Sequence, residues 1–325
     1  MFDILVYCWE ERIEVGGLID REPLELPVKP EGFGEDKQVT KEWSYHAGLI
    51  HDTNHANKVK RFQILSMIDT AKKYLGEKFY HVYQMDFTSR LYPVTAHFHP
   101  QGTDIARGLH QFYEGAEIKT KKDADRLAIA GANAWGMNKA SYEDRLEWAY
   151  IEGFDYAEQI SLNPLDNLDI WGNAKDPFQF LAWCREWSEF QEQGFGYVSR
   201  FCCCLDGTNN GYQHIAGLIS SQSLATKVNL QNVNQPQDLY KDVLNKLLLL
   251  LDNDTSPQGK QWNLVRDKLT RKFIKKPVLM IPYNSTTFGI ATYIEKYFVG
   301  KNISMARNFQ NNFYLAVLIE QAVKD

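Results

Sequence analysis

Two groups of residues have the types and spacings that chemistry needs. The first is Asp206-Gly207-Thr208-Asn209-Asn210-Gly211-Tyr212-Gln213-His214. It follows a run from Val198 to Leu205 that favours strand and contains neither Pro nor Gly. A carboxylate at the exit of a strand, followed by a glycine whose carbonyl is open to approach, offers the hard oxygen ligands that Mg²⁺ takes. Most Asp-Gly pairs are turns and nothing more, and on this stretch alone that reading stands beside the metal one. The second group lies in Lys260 to Lys276, where seven basic residues face one acid, Asp267. Here Arg271 and Lys275 are four apart and Tyr283 is eight beyond Lys275, so on one helix the three share a face. Two cations so placed can bind a triphosphate, and a tyrosine two turns on can pack against a base or sugar. A solvated basic face gives the same pattern. Pro277 should kink that helix or begin a new one. Together the groups supply what phosphoryl and nucleotidyl transfer need, namely metal, positive charge and alignment.

The elements that must position these residues are largely helical. Apolar spacing predicts helices over Ser44 to Tyr74, Lys122 to Trp135, Tyr142 to Glu158 and Pro177 to Gln193. More follow over Tyr212 to Ile219, Pro236 to Leu251, Thr287 to Phe298 and Met305 to Val323. Pro236 suits a first helical turn. Asp86 to Pro100 reads as extended, with Arg90 between strand-forming residues, and Gln101 to Tyr113 as a helix opened by Gly102-Thr103-Asp104. The first ~45 residues, with Pro23, Pro27 and Pro30, read as irregular. The helix around Phe313 to Val323 is apolar enough to need a surface to cover it.

At 325 residues, 44% hydrophobic and 13% aromatic, the chain is a folded globular protein large enough for two packed units. A net charge of −5 excludes a wholly basic nucleic-acid coat but not a local patch. Five cysteines, three of them consecutive at Cys202 to Cys204, form no disulfide pattern and are expected as buried thiols of a cytoplasmic protein. The start of the chain lacks a signal-peptide pattern, and Leu247 to Leu251 is too short to span a bilayer, so no membrane is expected. His51 with His55, and His97 with His99, have two-residue metal spacings without third and fourth ligands. Asp252-Asn253-Asp254 lacks the glycine and glutamate of a calcium loop.

The whole set resembles the single-subunit DNA-directed RNA polymerases of bacteriophages and mitochondria. Asp206 to His214 is similar to that family's motif A, DGxxxGxQH, and Arg271 through Lys275 to Tyr283 to its motif B, with Phe288-Gly289 following. Asp86 to Tyr92 resembles the DxxGR element, and His99-Pro100-Gln101-Gly102-Thr103-Asp104 the PQG segment. Gly131-Ala132-Asn133 with Lys139, and Asp238-Leu239-Tyr240, fall where the family has counterparts. The resemblance implies an α+β, mostly helical fold: a palm and fingers portion of a right-hand polymerase with a small antiparallel palm sheet. It implies an N-terminal region over 1–85, a palm portion over 86–255 and a fingers portion over 256–325. It implies two Mg²⁺ ions held by Asp206 with the Gly207 carbonyl assisting one. Lys275, Arg271 and Lys139 would bind the triphosphate of the incoming nucleotide, with Lys275 protonating the leaving pyrophosphate. Tyr283 would close the nucleotide site and help select ribose. Arg90 and Tyr240 would touch template or hybrid, and Gly211 and His214 would shape the pocket floor.

Departures from the pattern matter as much. Ser89 stands where the family has Gly before Arg90, Asn284 stands where Gly follows Tyr283, and Pro277 lies inside motif B. The family's motif C, a His-Asp pair, is not found in this sequence, where Glu295, Glu320 and Asp325 are the acids after Tyr283. Two ions need more than one anchoring carboxylate. The expectation is one subunit of a split phage-type RNA polymerase in an infected bacterial cell, acting on a DNA template with nucleoside triphosphates to make RNA. A second polypeptide would supply motif C. The alternatives are a non-catalytic nucleic-acid-binding or scaffolding subunit with a degenerate polymerase fold, a DNA polymerase of the related palm-and-fingers type, and a truncated gene product or fragment.

Overall fold

Helix Pro177–Gln193 explains the first half of the molecule. Pro177 occupies its first turn, where a missing N–H costs no bond. Phe178, Phe180, Leu181, Trp183, Cys184 and Trp187 along it have no accessible surface in this computed structural model. The structure describes residues 1–205, 207–231, 233, 235–298, 301 and 303–324. The chain folds as two compact units, Met1–Cys204 and Leu205–Asp325.

In chain order the first unit contains α1 (Phe2–Glu10), α2 (Lys37–Lys73), β1 (Tyr83–Met85), β2 (Leu91–Pro93), α3 (Asp104–Leu109), β3 (Gln111–Glu117), α4 (Lys121–Trp135), α5 (Tyr142–Tyr150), α6 (Glu152–Leu162), α7 (Leu168–Trp171), α8 (Pro177–Gln193) and β4 (Val198–Phe201). β1 pairs antiparallel with β2 and β3 antiparallel with β4, giving two small two-stranded sheets. α3, α4 and α6 pack around α8. An aromatic stack fills the middle: Phe180, Trp183 and Trp187 succeed one another with centroids 5.5 and 5.6 Å apart. Trp183 also donates its indole N–H to the Leu127 carbonyl at 2.8 Å. Gly131 of α4 lies against that indole, and a Cβ there would stand 1.9 Å from a ring carbon, so no larger residue fits. Asp104 accepts from the backbone N–H groups of Phe178 and Gln179 at 2.7 and 3.1 Å, capping α8 from α3.

The second unit contains α9 (Asn210–Leu218), α10 (Gln222–Lys227), α11 (Leu239–Asp252), α12 (Pro257–Leu264), α13 (Arg271–Met280), α14 (Thr287–Phe298) and α15 (Phe309–Lys324). Its core gathers Leu247, Trp262, Phe273, Ile274, Val278, Ile290, Ile294, Leu315 and Ile319, all fully buried. α15 packs on α14 and α11, so the apolar stripe of Leu315, Ala316, Ile319 and Ala322 is covered within the unit. Phe313 and Val317 of that helix remain exposed.

Several expectations are corrected. Strand β4 stops at Phe201, so Cys202 is half-buried and Cys203 and Cys204 are exposed rather than buried strand residues. The helix expected over Gln101 to Tyr113 ends at Leu109, and Gln111 onward pairs with β4 instead, because ladder bonds to Phe201 and Val198 outweigh weak local preference. Tyr142 to Glu158 is two helices broken at Ile151, whose ψ of −88° is not helical. α11 begins at Leu239 with Asp238 as its cap, not at Pro236. The opening residues expected to be irregular include α1, which buries Ile4, Leu5, Cys8 and Trp9. No helix among the described residues is long and apolar enough to cross a membrane.

Candidate functional site

The basic segment folds as α13 because Thr270 caps it, accepting from the Phe273 N–H, and because Phe273, Ile274 and Val278 form a buried face. The opposite face leaves Lys272, Lys275 and Lys276 exposed. Arg271 and Lys275 stand one turn apart, as their spacing predicts. Arg271 and Lys272 also sit at the end of the helix where the peptide dipoles are positive, which concentrates positive potential there. Pro277 lies within α13, which continues through it to Met280 instead of restarting.

Tyr283 does not belong to that helix, which corrects the single-helix expectation. α13 ends at Met280, and Ile281–Tyr283 form a 3₁₀ turn closed by Asn284 in the left-handed region at φ 60°. The cause is Pro282. It has no N–H to give the Val278 carbonyl four residues back. That carbonyl accepts instead from the Ile281 N–H and from the Tyr212 hydroxyl, the latter at 2.8 Å. Tyr212 belongs to α9, so the end of motif B is tied to the start of the motif A helix. Gly211 makes the same junction sterically, since a Cβ there would lie 2.9 Å from Pro282 Cβ and 4.0 Å from the Tyr283 ring. Tyr283 itself is 57% exposed. The tyrosine and the two cations thus belong to one continuous segment, whose terminal turn abuts the α9 N-terminus.

Asp206 lies outside the described residues. Gly207 is exposed, with nothing within 4 Å of where a Cβ would be, so its surroundings are open. Asn209 enters α9 through the left-handed region. Gln213 donates to the Val228 carbonyl at 2.8 Å, and His214 is exposed. Among the described residues no group of three or more His, Cys, Asp or Glu is placed to hold a metal.

Arg271 has two supports that sequence reasoning missed. Its Nε donates to Asp238 Oδ2 at 2.5 Å, and its guanidinium carbon lies 5.4 Å from the Tyr240 ring centroid. Tyr240 is 7% exposed and thus largely covered. Burial raises its hydroxyl pKa above the usual tyrosine value, a shift that Arg271 opposes. No local signal could have revealed a pair 33 residues apart. Pro282, by contrast, was a readable signal that Tyr283 leaves the α13 helix.

Arg90 and Lys139 lie in the first unit. Arg90 follows the β1–β2 turn, which Asp86 organises by accepting from the Thr88 N–H, the Thr88 hydroxyl and the Arg90 N–H at 2.8, 2.6 and 3.1 Å. The Thr88 hydroxyl foremost holds the Asp86 pKa below the usual carboxylate value. Ser89 takes the left-handed position of that turn, at φ 60°. Lys139 sits in the loop between α4 and α5, which Arg145 pins from beneath. Arg145, 6% exposed, donates to Asn133 Oδ1 at 3.0 Å and to the carbonyls of Asn138 and Ala140 at 3.3 and 2.8 Å.

Residues 118–325 match the family described as DNA-dependent RNA polymerase. The chain belongs to that family. Its curated relatives place it with the phage and mitochondrial type. It is 31% identical over 301 residues to the mitochondrial DNA-directed RNA polymerase 1 of Arabidopsis thaliana, covering 89% of this chain and 30% of that one. It is 33% identical over 304 residues to the mitochondrial DNA-directed RNA polymerase of Schizosaccharomyces pombe, covering 91% and 26%. It is 27% identical over 339 residues to the T7 RNA polymerase of Escherichia phage T7, covering 94% and 38%. The chain thus spans well under half the length of these relatives. Helices with two small antiparallel sheets make this an α+β, mostly helical portion of a palm-and-fingers polymerase fold.

Proposed function

We propose that this chain binds the incoming nucleoside triphosphate and takes part in DNA-directed RNA synthesis. The observation that carries this reading is the junction of the two motifs in the second unit. Arg271, Lys275 and Tyr283 follow one another along α13 and its terminal turn, and Gly211 and Tyr212 fasten that turn to the helix that motif A opens. In this reading Arg271 and Lys275 take the triphosphate, whose negative charge the positive end of α13 also favours. Lys275, exposed and without an ion pair among the described residues, carries the proton that the departing pyrophosphate needs. Tyr283 closes over the base and sugar, and the Gly211 junction fixes where its ring stands. His214, on the exposed side of α9, completes the pocket floor. Lys139, on the loop that Arg145 holds, is a third phosphate ligand. Arg90 contacts template or hybrid; the same contact was expected of Tyr240, but its ring is largely covered beneath Arg271, so Tyr240 acts by supporting that arginine. Residues 86–255 serve as palm and 256–325 as fingers, with 1–85 leading in.

Asp206 and the Gly207 carbonyl are hard oxygen donors and fit Mg²⁺; the open surroundings of Gly207 leave room for approach. When bound, the ions would neutralise triphosphate charge and orient the reacting oxygens. One aspartate cannot anchor two ions, and the sequence has no motif C. A second carboxylate set is needed to complete the site, and in this reading another polypeptide supplies it, with this chain as one subunit of a split polymerase. The test is Mg²⁺-dependent RNA synthesis by the chain alone and by the complex isolated from its native source, with ribo- and deoxyribonucleotides in parallel. Ribonucleotide incorporation by the complex, absent from the chain alone and lost with Asp206→Ala, is expected. Full activity of the isolated chain would overturn the split arrangement. A complex that transcribes normally with Asp206→Ala would favour a non-catalytic role.

A further inference from the structure

We propose that Asp238 is the positioning residue of the triphosphate site, acting through Arg271; this rests on the nucleotide-binding reading above. Asp238 works in two directions. One carboxylate oxygen accepts from the Lys241 N–H at 3.3 Å and so caps α11, which fixes the side chain to the start of that helix. The other oxygen takes Arg271 Nε at 2.5 Å. Tyr240, two residues into the same helix, lies under the guanidinium. A charged edge and an aromatic face, both carried on α11, thus define the position and the plane of one arginine on α13.

The arrangement suits aiming better than blocking. A guanidinium has five N–H donors in a rigid fork, and even a bidentate carboxylate uses two of them, leaving three for phosphate oxygens. Arg271 keeps 36% of its side chain accessible while it is paired, so its charge is presented to solvent rather than sealed off. An unsupported arginine at the first position of a helix would instead sample many rotamers and sit beside like charge on Lys272. Holding it in one orientation lowers the entropy lost when a triphosphate binds.

The experiment measures binding of ATP with Mg²⁺, of inorganic triphosphate and of adenosine to the full chain by calorimetry. Asp238→Asn and Asp238→Ser both keep an N-cap for α11 but remove the negative charge that faces Arg271, and the melting transition confirms that both fold. Triphosphate affinity is expected to fall on the order of tenfold in either variant, the scale on which a supporting residue acts on a binding group. Adenosine binding should stay unchanged. Arg271→Ala should lose at least as much, and adding Asp238→Asn to it should lose little further triphosphate affinity, because the effect of the aspartate on the triphosphate runs through the arginine. Unchanged or tighter triphosphate binding in both Asp238 variants overturns the proposal, as does an additive loss in the double variant. Wild-type chain that binds no triphosphate overturns the nucleotide reading itself, a different result from wild-type binding with insensitive Asp238 variants.

Discussion

Substituting Gly211 by alanine tests whether the two motifs are joined as described. Gly211 is the second residue of α9 and has an ordinary helical backbone, so alanine meets no backbone strain there. In open helix the change would stabilise by roughly 1 kcal/mol. Here the new methyl stands 2.9 Å from Pro282 Cβ and 3.0 Å from its Cγ. Comfortable carbon contacts begin near ~3.5 Å, so α9 and the turn must separate by about half an ångström or more. Pro282 is a ring and cannot swing aside. Overpacking of this kind costs about 1–3 kcal/mol, which leaves a net loss of about 0–2 kcal/mol. The strain falls on the bond from Tyr212 to the Val278 carbonyl and on the Tyr283 ring.

Because the net change can be small, a double-mutant cycle is the decisive measurement. Pro282→Gly removes both contact atoms, and in the pair the helix-propensity gain cancels, leaving the steric term. Hydrogen exchange on the full chain, read on peptides covering α9 and residues 278–284, gives the local opening free energies. A coupling of about 1 kcal/mol or more between the two substitutions is expected, with weakened triphosphate binding in Gly211→Ala alone. Coupling below about 0.5 kcal/mol, the ordinary error of additivity, would refute the junction and with it the placing of Tyr283.

Two further outcomes follow from the first unit. Ser89→Gly should stabilise the β1–β2 hairpin by up to about 1–2 kcal/mol, because Ser89 holds a left-handed conformation that costs an L-residue that much; slower exchange of the Asp86 and Ser89 amides checks it, and faster exchange would count against it. His81 Nε2 lies 2.9 Å from His110 Nε2, and burial first, then neighbouring His99, lowers the pKa of His81; burial, His81 and His99 lower that of His110. Burial and His97 lower that of His99. These groups take up protons more readily in the unfolded chain, whose histidines titrate near 6.5, so stability should hold above that pH and fall as pH drops below it. Asp104, raised mainly by burial, acts in the opposite sense. The comparison that isolates the histidines is therefore His110→Gln, which should shrink the drop in melting temperature between pH 7.5 and pH 5; an unchanged drop would sink the assignment.

The sequence revealed helices where a local stop or start coincided with a clear apolar stripe. α14 runs over Thr287–Phe298 as its pattern predicts, and Pro177 opens α8 where its missing N–H does no harm. It misled where tertiary contacts decide. Gln111 to Tyr113 continue a helical pattern on paper but gain strand partners only in the fold. The break at Ile151 falls in a run with no proline, just before Gly153, which packs against Trp148, and no neighbouring residue announces it. The site was legible in the same uneven way. Arg271 and Lys275 could be read from their spacing because both depend on one helix. Asp238 and Arg145 could not, because each acts through a partner brought near only by folding. Tyr212 was visible as a motif letter, but its task, satisfying a carbonyl that Pro282 leaves short of a donor, needed the geometry.

The two departures from the family's glycines bear on whether the site is intact. Ser89 and Asn284 stand where glycine is usual, and both have φ 60°. The requirement at these positions is thus conformational, since glycine enters the left-handed region without a Cβ penalty. Asn284 meets it at low cost, because a short amide tolerates that region best among residues with a side chain. Ser89 meets it inside a turn that Asp86 already holds with three hydrogen bonds, so the strain is borne by a turn that cannot readily relax. In both places the residue present adopts the left-handed conformation that glycine enters without penalty, next to Arg90 in one case and Tyr283 in the other.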